Sequence, residues 1–434
     1  MSELSKRWDT TYEIKAVLLL SLAFGLVGLD RFMIFPLFPA IMKDLGLDYQ
    51  NLGEIAGVLS FSWGIAALLS SRISDLFGRR RVILITVLAF SLLVGISGLA
   101  TSLTTMLILR AIMGFSDGAY AGPSIAATME ASKPSRHGLN IGIEQMMMPL
   151  FGLALAPLLV THLLHIMDWR WIFATVMPFG MILAVLLFGV LRAPSKLNHV
   201  QHSAILDNRT HAWTDAFKYR NINLNIIGMA CWLTCQITLG AMLPIYLINY
   251  LHLTLPQMGF VQSAIGFGSA FGGLILPPLS DRIGRKPVML LCSIACAFLI
   301  FVFIHVGATP SLLFGVLFAA QAFNYALISL TVGPISAESV PQTLMATASG
   351  IVICTGEICG GGGVPIIAGY IAQHFGIQYV LYLALGGILV GFVNSCFLQE
   401  TAPVKRNRHL ISRNHEAIDA ISNPISPTSD TQKT

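Results

Sequence analysis

Six ionisable residues stand inside long apolar stretches of the 434-residue chain: Asp30, Arg31, Arg110, Asp117, Glu144 and Glu357. At the centre of a bilayer each such group costs roughly 2.5–3.5 kcal/mol, so such groups face a protein interior or a wet cavity and find partners. Arg110 and Asp117 are seven residues apart. Two helical turns put them on one face, about 10 Å apart along the axis. Asp30 and Arg31 are adjacent, point about 100° apart on a helix, and cannot form one tight pair. A cross-helix arrangement between the first and fourth apolar segments resolves this. With all four ionised the sum is zero. Protonating one acid leaves the cluster positive, and a bound carboxylate then restores neutrality. That is a physical route to the joint movement of a proton and an organic anion. The competing reading is a structural ion-pair network that locks the two segments together. Glu144 near one end of the fifth segment is a weaker candidate, and Glu357, deeper in the eleventh, is a candidate second proton site.

The segments that must position these groups follow from composition. Hydrophobic residues make up 55% of the chain, mean hydropathy is +0.73, and charged residues are 11%, against roughly 25% in an average soluble domain. This excludes a water-soluble enzyme, a disordered chain and a nucleic-acid-binding domain. A hydrocarbon core about 30 Å thick takes roughly 20 helical residues to cross. Twelve spans fit, at about 14–39, 51–71, 82–101, 103–130, 138–165, 169–192, 221–250, 256–279, 288–307, 309–337, 342–373 and 376–398. All are expected to be helices, because strands in lipid need an alternating polarity absent here. The expected fold class is therefore all-α integral membrane. The first span is expected to be retained, since no small-residue cleavage site follows it. Glycine (39) and proline (20) are abundant, as in membrane helices that pack closely and bend. The run Gly360-Gly361-Gly362-Gly363 marks very close helix approach or a flexing point.

Basic residues set the orientation. With the N-terminus in the cytoplasm, 22 Lys and Arg fall in the head, inner loops and tail, and only Lys43 and Arg170 in outer loops. The positive-inside rule then places both termini in the cytoplasm, most simply at a bacterial inner (plasma) membrane. Residues 193–220, with His199, His202 and His211, read as a solvated linker and not a metal site. They divide the chain into an N-terminal six-helix half (1–192) and a C-terminal one (221–398), followed by a polar tail (399–434) expected to be disordered. The seven cysteines show no CxxC spacing. No metal motif, phosphate loop or nucleophile–base pair appears, so neither an enzyme nor a cofactor is expected.

The halves repeat. Residues 74–82, from Ser74 and Asp75 through Gly78 and Arg79, match residues 280–288 at an offset of 206, five of nine positions being identical. Gly142-Ile143, Gly152 and Pro157 match Gly350-Ile351, Gly360 and Pro365 at an offset of 208. A duplicated six-helix unit is how secondary transporters are built, with the substrate site near the midplane between the repeats. The two loops resemble the signature loop of the major facilitator superfamily, G-x-x-x-D-[RK]-x-G-[RK]-[RK]. Asp75, Gly78, Arg79 and Arg80 fit in the first copy, where Ser71 replaces the first glycine and Leu76 the first basic residue. Asp281, Arg282, Gly284, Arg285 and Lys286 fit in the second, with Pro277 at the first-glycine position. The resemblance covers about residues 14–398 and implies twelve transmembrane helices in two six-helix halves that work by alternating access as a monomer. Physically, these loops make charge clusters that can hold the halves in one state and release them in the other; the plainer reading is that they fix topology alone.

The membrane charges resemble those of the anion:cation symporter branch, which has Asp-Arg in span 1 and Arg-x6-Glu in span 4. Asp30, Arg31 and Arg110 match; Asp117 stands for the glutamate, and Gly28 occupies the position of a usual tyrosine. By resemblance Arg110 and Arg31 hold a substrate carboxylate, while Asp30 and Asp117 carry the coupling proton. In the second half Gln236 falls opposite Asp30 at the 206 offset, Gln321 corresponds to Arg110, and Asn324 and Tyr325 lie beside it. A charged first half and a hydrogen-bonding second half suit a small organic acid. The expected function is proton-coupled uptake of such an acid, with protons and membrane lipid as the other partners and no nucleic acid. A proton-coupled exporter of drugs or metabolites stays open as an alternative, although the Gly-x-x-x-Gly-Pro-x-x-Gly-Gly stretch usual in drug antiporters is missing from span 5. A transport-dead sensor or scaffold is a third reading, but no large soluble domain is present.

Overall fold

The computed structural model describes residues 8–192, 213–341 and 344–402, without the side chains of residues 71–73, 75, 76, 213 and 346. Linker residues 193–212, with the three histidines, and tail residues 403–434 lie outside the described residues. Within them the chain is helical throughout. The helices are α1 Thr10–Leu45, α2 Tyr49–Phe77, α3 Arg79–Ser97, α4 Leu103–Ala131, α5 Pro134–Leu163, α6 Trp169–Val190, α7 Arg220–Tyr250, α8 Leu255–Ile283, α9 Arg285–His305, α10 Pro310–Glu338, α11 Thr347–His374 and α12 Ile377–Cys396. Eleven of these are long and apolar enough to cross a membrane. The other is α4, 29 residues long, whose apolar run is diluted by Arg110 and Asp117. The fold is the expected twelve-helix bundle in two halves.

Small residues bring the helices together. Side chains at Gly114 and Gly118 of α4 would collide with the Leu59 and Trp63 carbonyls of α2. The second half uses the mirror arrangement: Gly268 and Gly272 of α8 lie on the Phe318 and Ala322 carbonyls of α10. Both are glycines four apart, the spacing that lets helix backbones touch in lipid. The 208 offset is realised in space. Gly152 of α5 sits on the Gly28 carbonyl of α1, and Gly360 of α11 sits on the Ala230 carbonyl of α7.

Four helices widen locally to π turns: Leu150–Leu155 in α5, Tyr246–Tyr250 in α7, Thr331–Ile335 in α10 and Glu357–Gly363 in α11. Each has a proline inside it or within two residues, namely Pro149 and Pro157, Pro244, Pro334 and Pro365. Proline removes a backbone donor and clashes with the preceding turn, and a π turn absorbs the mismatch. The α5 and α11 examples fall at the matched Gly152 and Gly360.

The halves meet along α2–α11 and α5–α8. Gly53 and Gly57 of α2 lie on the Pro365 and Gly362 carbonyls, while Gly259 and Gly266 of α8 lie on α5 at Pro157 and Ala154. At the end of the bundle away from the termini, Asn249 donates to the Tyr49 hydroxyl (3.0 Å) and the Tyr49 N–H donates to Gln373 (3.3 Å). Toward the end bearing the termini the contact loosens. A Cβ added at Gly142 would meet only Leu274, at 3.8 Å, and one added at Gly138 or Gly350 would meet nothing within 4 Å. The bundle is closed at its far end.

Candidate functional site

Arg110 is fully buried on α4. One N–H, from Nη1, donates to the backbone carbonyl of Asp30 at 3.0 Å and lies 3.7 Å from the Met113 sulfur. The ring of Phe173 sits 5.7 Å from the guanidinium. Its Nε and Nη2 have no hydrogen-bond partner. That Asp30 carbonyl precedes an interruption of α1 at Met33, three residues before Pro36, where the helix ladder cannot run unbroken. The carboxylates of Asp30 and Asp117 are fully buried and neither has a hydrogen-bond partner. Asp30 lies in electrostatic range of Asp117 and Arg110, and Asp117 of Arg31 and Arg110. The expected convergence of α1 and α4 is therefore present, but as a loose cluster and not a closed ion pair.

Arg31 stays within electrostatic range of Asp117 but makes its hydrogen-bonded ion pair across to the other half. Its Nη2 is 2.6 Å from Glu357 Oε2, and Nη1 is 3.3 Å from Oε1. Nη2 also donates to the Ser60 hydroxyl at 3.0 Å. The rings of Phe32 and Trp63 lie 5.2 and 5.4 Å from the guanidinium, within cation–π range. Glu357 is the first residue of the α11 π segment. Five charges thus share this region, not four: two guanidiniums and three carboxylates. With all ionised the sum is −1, so one bound proton makes it neutral.

Arg31, Arg110 and Ser60 line a cavity of about 10 Å3, together with Ile34, Phe35, Ile55, Ala56, Leu59 and, from the second half, Ile237. That is room for about one water molecule. The centre is shut, and any larger occupant requires the halves to part.

The second-half candidates gather elsewhere. Asn324 donates to Gln236 (3.0 Å) and to the Trp232 carbonyl (3.4 Å), and Gln236 donates to Ser269 (3.3 Å). Gln321 reaches the Cys235 sulfur at 4.0 Å. Tyr325 packs on Gly273. None of the four lines the cavity, though one oxygen each of Gln321 and Asn324 has no partner. Glu144 lies on α5 beside the hydroxyls of Ser124 and Thr128, its oxygens making no hydrogen bond. Sequence reasoning missed Ser60 and Trp63. A faint signal existed: Gly53, Gly57, Ser60 and Gly64 form a helical stripe of small residues on α2.

The signature loops turn within their own halves. Gly78 and Gly284 have φ of +87° and +116°, a region in which side chains are strained. Arg79 pairs with Glu130, and Arg80 lies 5.0 Å from the Phe188 ring. Arg285 bonds Asp281 (2.6 Å) and Glu338 (2.7 Å), and the Glu400 carboxylate accepts from the Arg285 and Lys286 N–H groups at 2.8 and 3.2 Å. The Lys286 ammonium donates to the Cys396 carbonyl at 2.7 Å. Arg282 is exposed, and the Asp75 side chain lies outside the description.

The sequence profile of the Major Facilitator Superfamily matches residues 20–362 and again 226–424. The chain belongs to that superfamily. It is therefore a multi-pass membrane transporter and not an enzyme. It is 23% identical over 416 residues to the hexuronate transporter of Bacillus subtilis (strain 168), covering 90% of this chain and 95% of that one. It is 24% identical over 381 residues to a sialic acid transporter of Escherichia coli (strain K12), covering 84% and 90%. The crystal structure of a D-xylose–proton symporter superposes with a TM-score of 0.73 at 16% identity, covering 90% of this chain and 99% of that one, a likeness of fold. For this major facilitator chain, the tyrosine position held by Gly28 has a physical explanation: a side chain there would run into the Met148 backbone of α5.

Proposed function

We propose that the protein is a proton-coupled symporter that takes up a small organic acid, of the sugar-acid class, by alternating access across the bacterial inner membrane. One observation carries the reading: two guanidiniums, Arg31 and Arg110, line one small cavity between the halves, and the unpartnered carboxylates of Asp30 and Asp117 lie within electrostatic range of them. Arg110 has two donor nitrogens free to receive a carboxylate, and charge-assisted pairing of that kind is strong in a water-poor site. Asp30 and Asp117 carry the coupling proton, because adding an anion to a cluster neutralised by one proton calls for another. Relatives named for hexuronate, sialic acid and L-galactonate support the substrate class. Gln236, Gln321, Asn324 and Tyr325 read the hydroxyl-bearing part of the substrate once the halves part.

The termini face the cytoplasm, as the distribution of basic residues favours, so the closed end is the outer one. The signature loops, bonded within their own halves here, form their cross-half cluster when the cytoplasmic side shuts. Residues 1–192 and 221–398 move as the two bodies, joined by 193–220.

The test is uptake of labelled glucuronate, galactonate and N-acetylneuraminate into right-side-out and inverted vesicles under an imposed pH gradient. The wild type should accumulate at least one of them when the outside is acidic. Arg110→Ala should abolish accumulation. Asp117→Asn should lose pH-driven accumulation while keeping exchange of internal for external substrate. Normal pH-dependent uptake by both variants would make the cluster structural.

A further inference from the structure

We propose that Glu357 is a built-in stand-in for the substrate carboxylate: it holds Arg31 while the carrier is empty, and the arriving acid displaces it and leaves it to take up a proton. The inference rests on the carboxylate-binding reading above and names where a coupling proton goes.

Arg31 lines the cavity, yet the edge of its guanidinium that would receive a carboxylate already receives one. Both terminal nitrogens face Glu357, Ser60 takes a further N–H, and Phe32 and Trp63 lie against the cation. A second carboxylate cannot join without bringing like charges together, so the two compete. Glu357 opens the π segment, and its carboxylate rests against Gly361 in the paired position: a Cβ there would come 2.7 Å from Glu357 Oε2 and 3.2 Å from Ser60, so the absence of a side chain at Gly361 is what lets the carboxylate reach Arg31.

What faces Glu357 decides its fate once displaced. From α1 there is Arg31. From α2 come Ser60 near Gly361 and Gly64 against the Glu357 side chain. From α7, Met229, Ala230 and Leu233 pack on the adjacent Gly356 and Gly360. On α11 itself the Cys354 thiol is within electrostatic reach. Arg31 is the one cation in this set. A carboxylate that loses it has no compensating charge in a buried setting, and such groups neutralise by binding a proton.

The pairing also ties α1 to α11, and so one half to the other. Exchange of carboxylates, with the proton that follows it, loosens that tie as the acid binds.

The experiment uses the full-length protein and whichever of labelled glucuronate, galactonate or N-acetylneuraminate the wild type accumulates. Binding is measured in detergent across pH, alongside pH-driven accumulation in proteoliposomes. For the wild type the Kd should weaken as pH rises. Glu357→Gln should bind about tenfold or more tightly at alkaline pH, because the internal competitor is gone. Its log Kd against pH should lose about one unit of slope, the signature of one linked proton. Glu357→Asp, which keeps the acid but falls short of Arg31, should bind more tightly and keep the slope, and so covers the case in which the glutamine variant does not fold. In weakly buffered solution, adding substrate to the wild type should consume more protons than adding it to Glu357→Gln. Unchanged affinity and slope in the variants, or equal proton consumption, overturns the inference while leaving pH-driven uptake intact. Accumulation of none of the three acids by the wild type removes the transport reading and this inference together.

Discussion

Asp30 and Arg31 are neighbours in the chain and serve different helices. The 100° step between them sends one toward Arg110 and Asp117 inside the first half and the other across the interface to Glu357. The energetics of that second contact can be measured directly. Removing one partner of a buried ion pair leaves an uncompensated charge and costs about 3–5 kcal/mol, whereas replacing both with apolar groups is far milder. Arg31→Met should therefore lower thermal stability of the purified protein sharply, and adding Glu357→Leu should restore most of it. Additive losses would mean that the two side chains do not depend on each other. The Arg110–Asp117 face was legible in the sequence because helical spacing is local. The Arg31–Glu357 pair was not: 326 residues separate them, and their meeting is set by how α11 packs between α2 and α7.

At the scale of elements, the glycines sort into two kinds by what they touch. Gly114 and Gly118 join α4 to α2 inside one half, while Gly53 and Gly57 join α2 to α11 across the halves. Gly114→Val should cost folded protein, seen as loss of the monodisperse peak in detergent size exclusion. Gly57→Val should leave both halves folded and monodisperse yet abolish transport, because the far end can no longer close. Equal damage from both would mean that the halves do not fold as separate units. The span positions could be read because lipid demands long apolar helices, and the 206 and 208 offsets announced the duplication. The π turns could not. In α5 and α11 they fall where a proline and a close glycine contact coincide, whereas the turn in α7 has no glycine and a Cβ added at Gly333 in α10 would meet nothing within 4 Å, so only the folded structure shows which prolines bend a helix and which widen it.

For the whole molecule, the asymmetry of closure makes a directional claim. Cysteines at Tyr49 and Gln373, joined by a short bifunctional maleimide in a background where the exposed Cys359 and Cys396 are serine, should hold the far end shut and stop transport. Under the same treatment a cysteine at Gly142 or Gly350 should react with an impermeant thiol reagent added from the cytoplasmic side and resist it from outside. Reaction from outside would reverse the assigned topology. The centre, with its cavity of about 10 Å3, should become reachable only as the halves separate, so substrate should slow labelling near the cavity.

One feature of the bundle bears on how it is built. Among the twelve helices α4 is the one too polar to be counted as a spanning segment on its own, and Arg110 finds its hydrogen bond on the backbone of α1. A segment carrying buried charges partitions poorly into lipid by itself. During synthesis α1 emerges first, so α4 is expected to enter the bilayer against an α1 already made, whose backbone shelters Arg110. The residues that let the finished carrier handle charge thus also make the entry of α4 depend on a helix made before it.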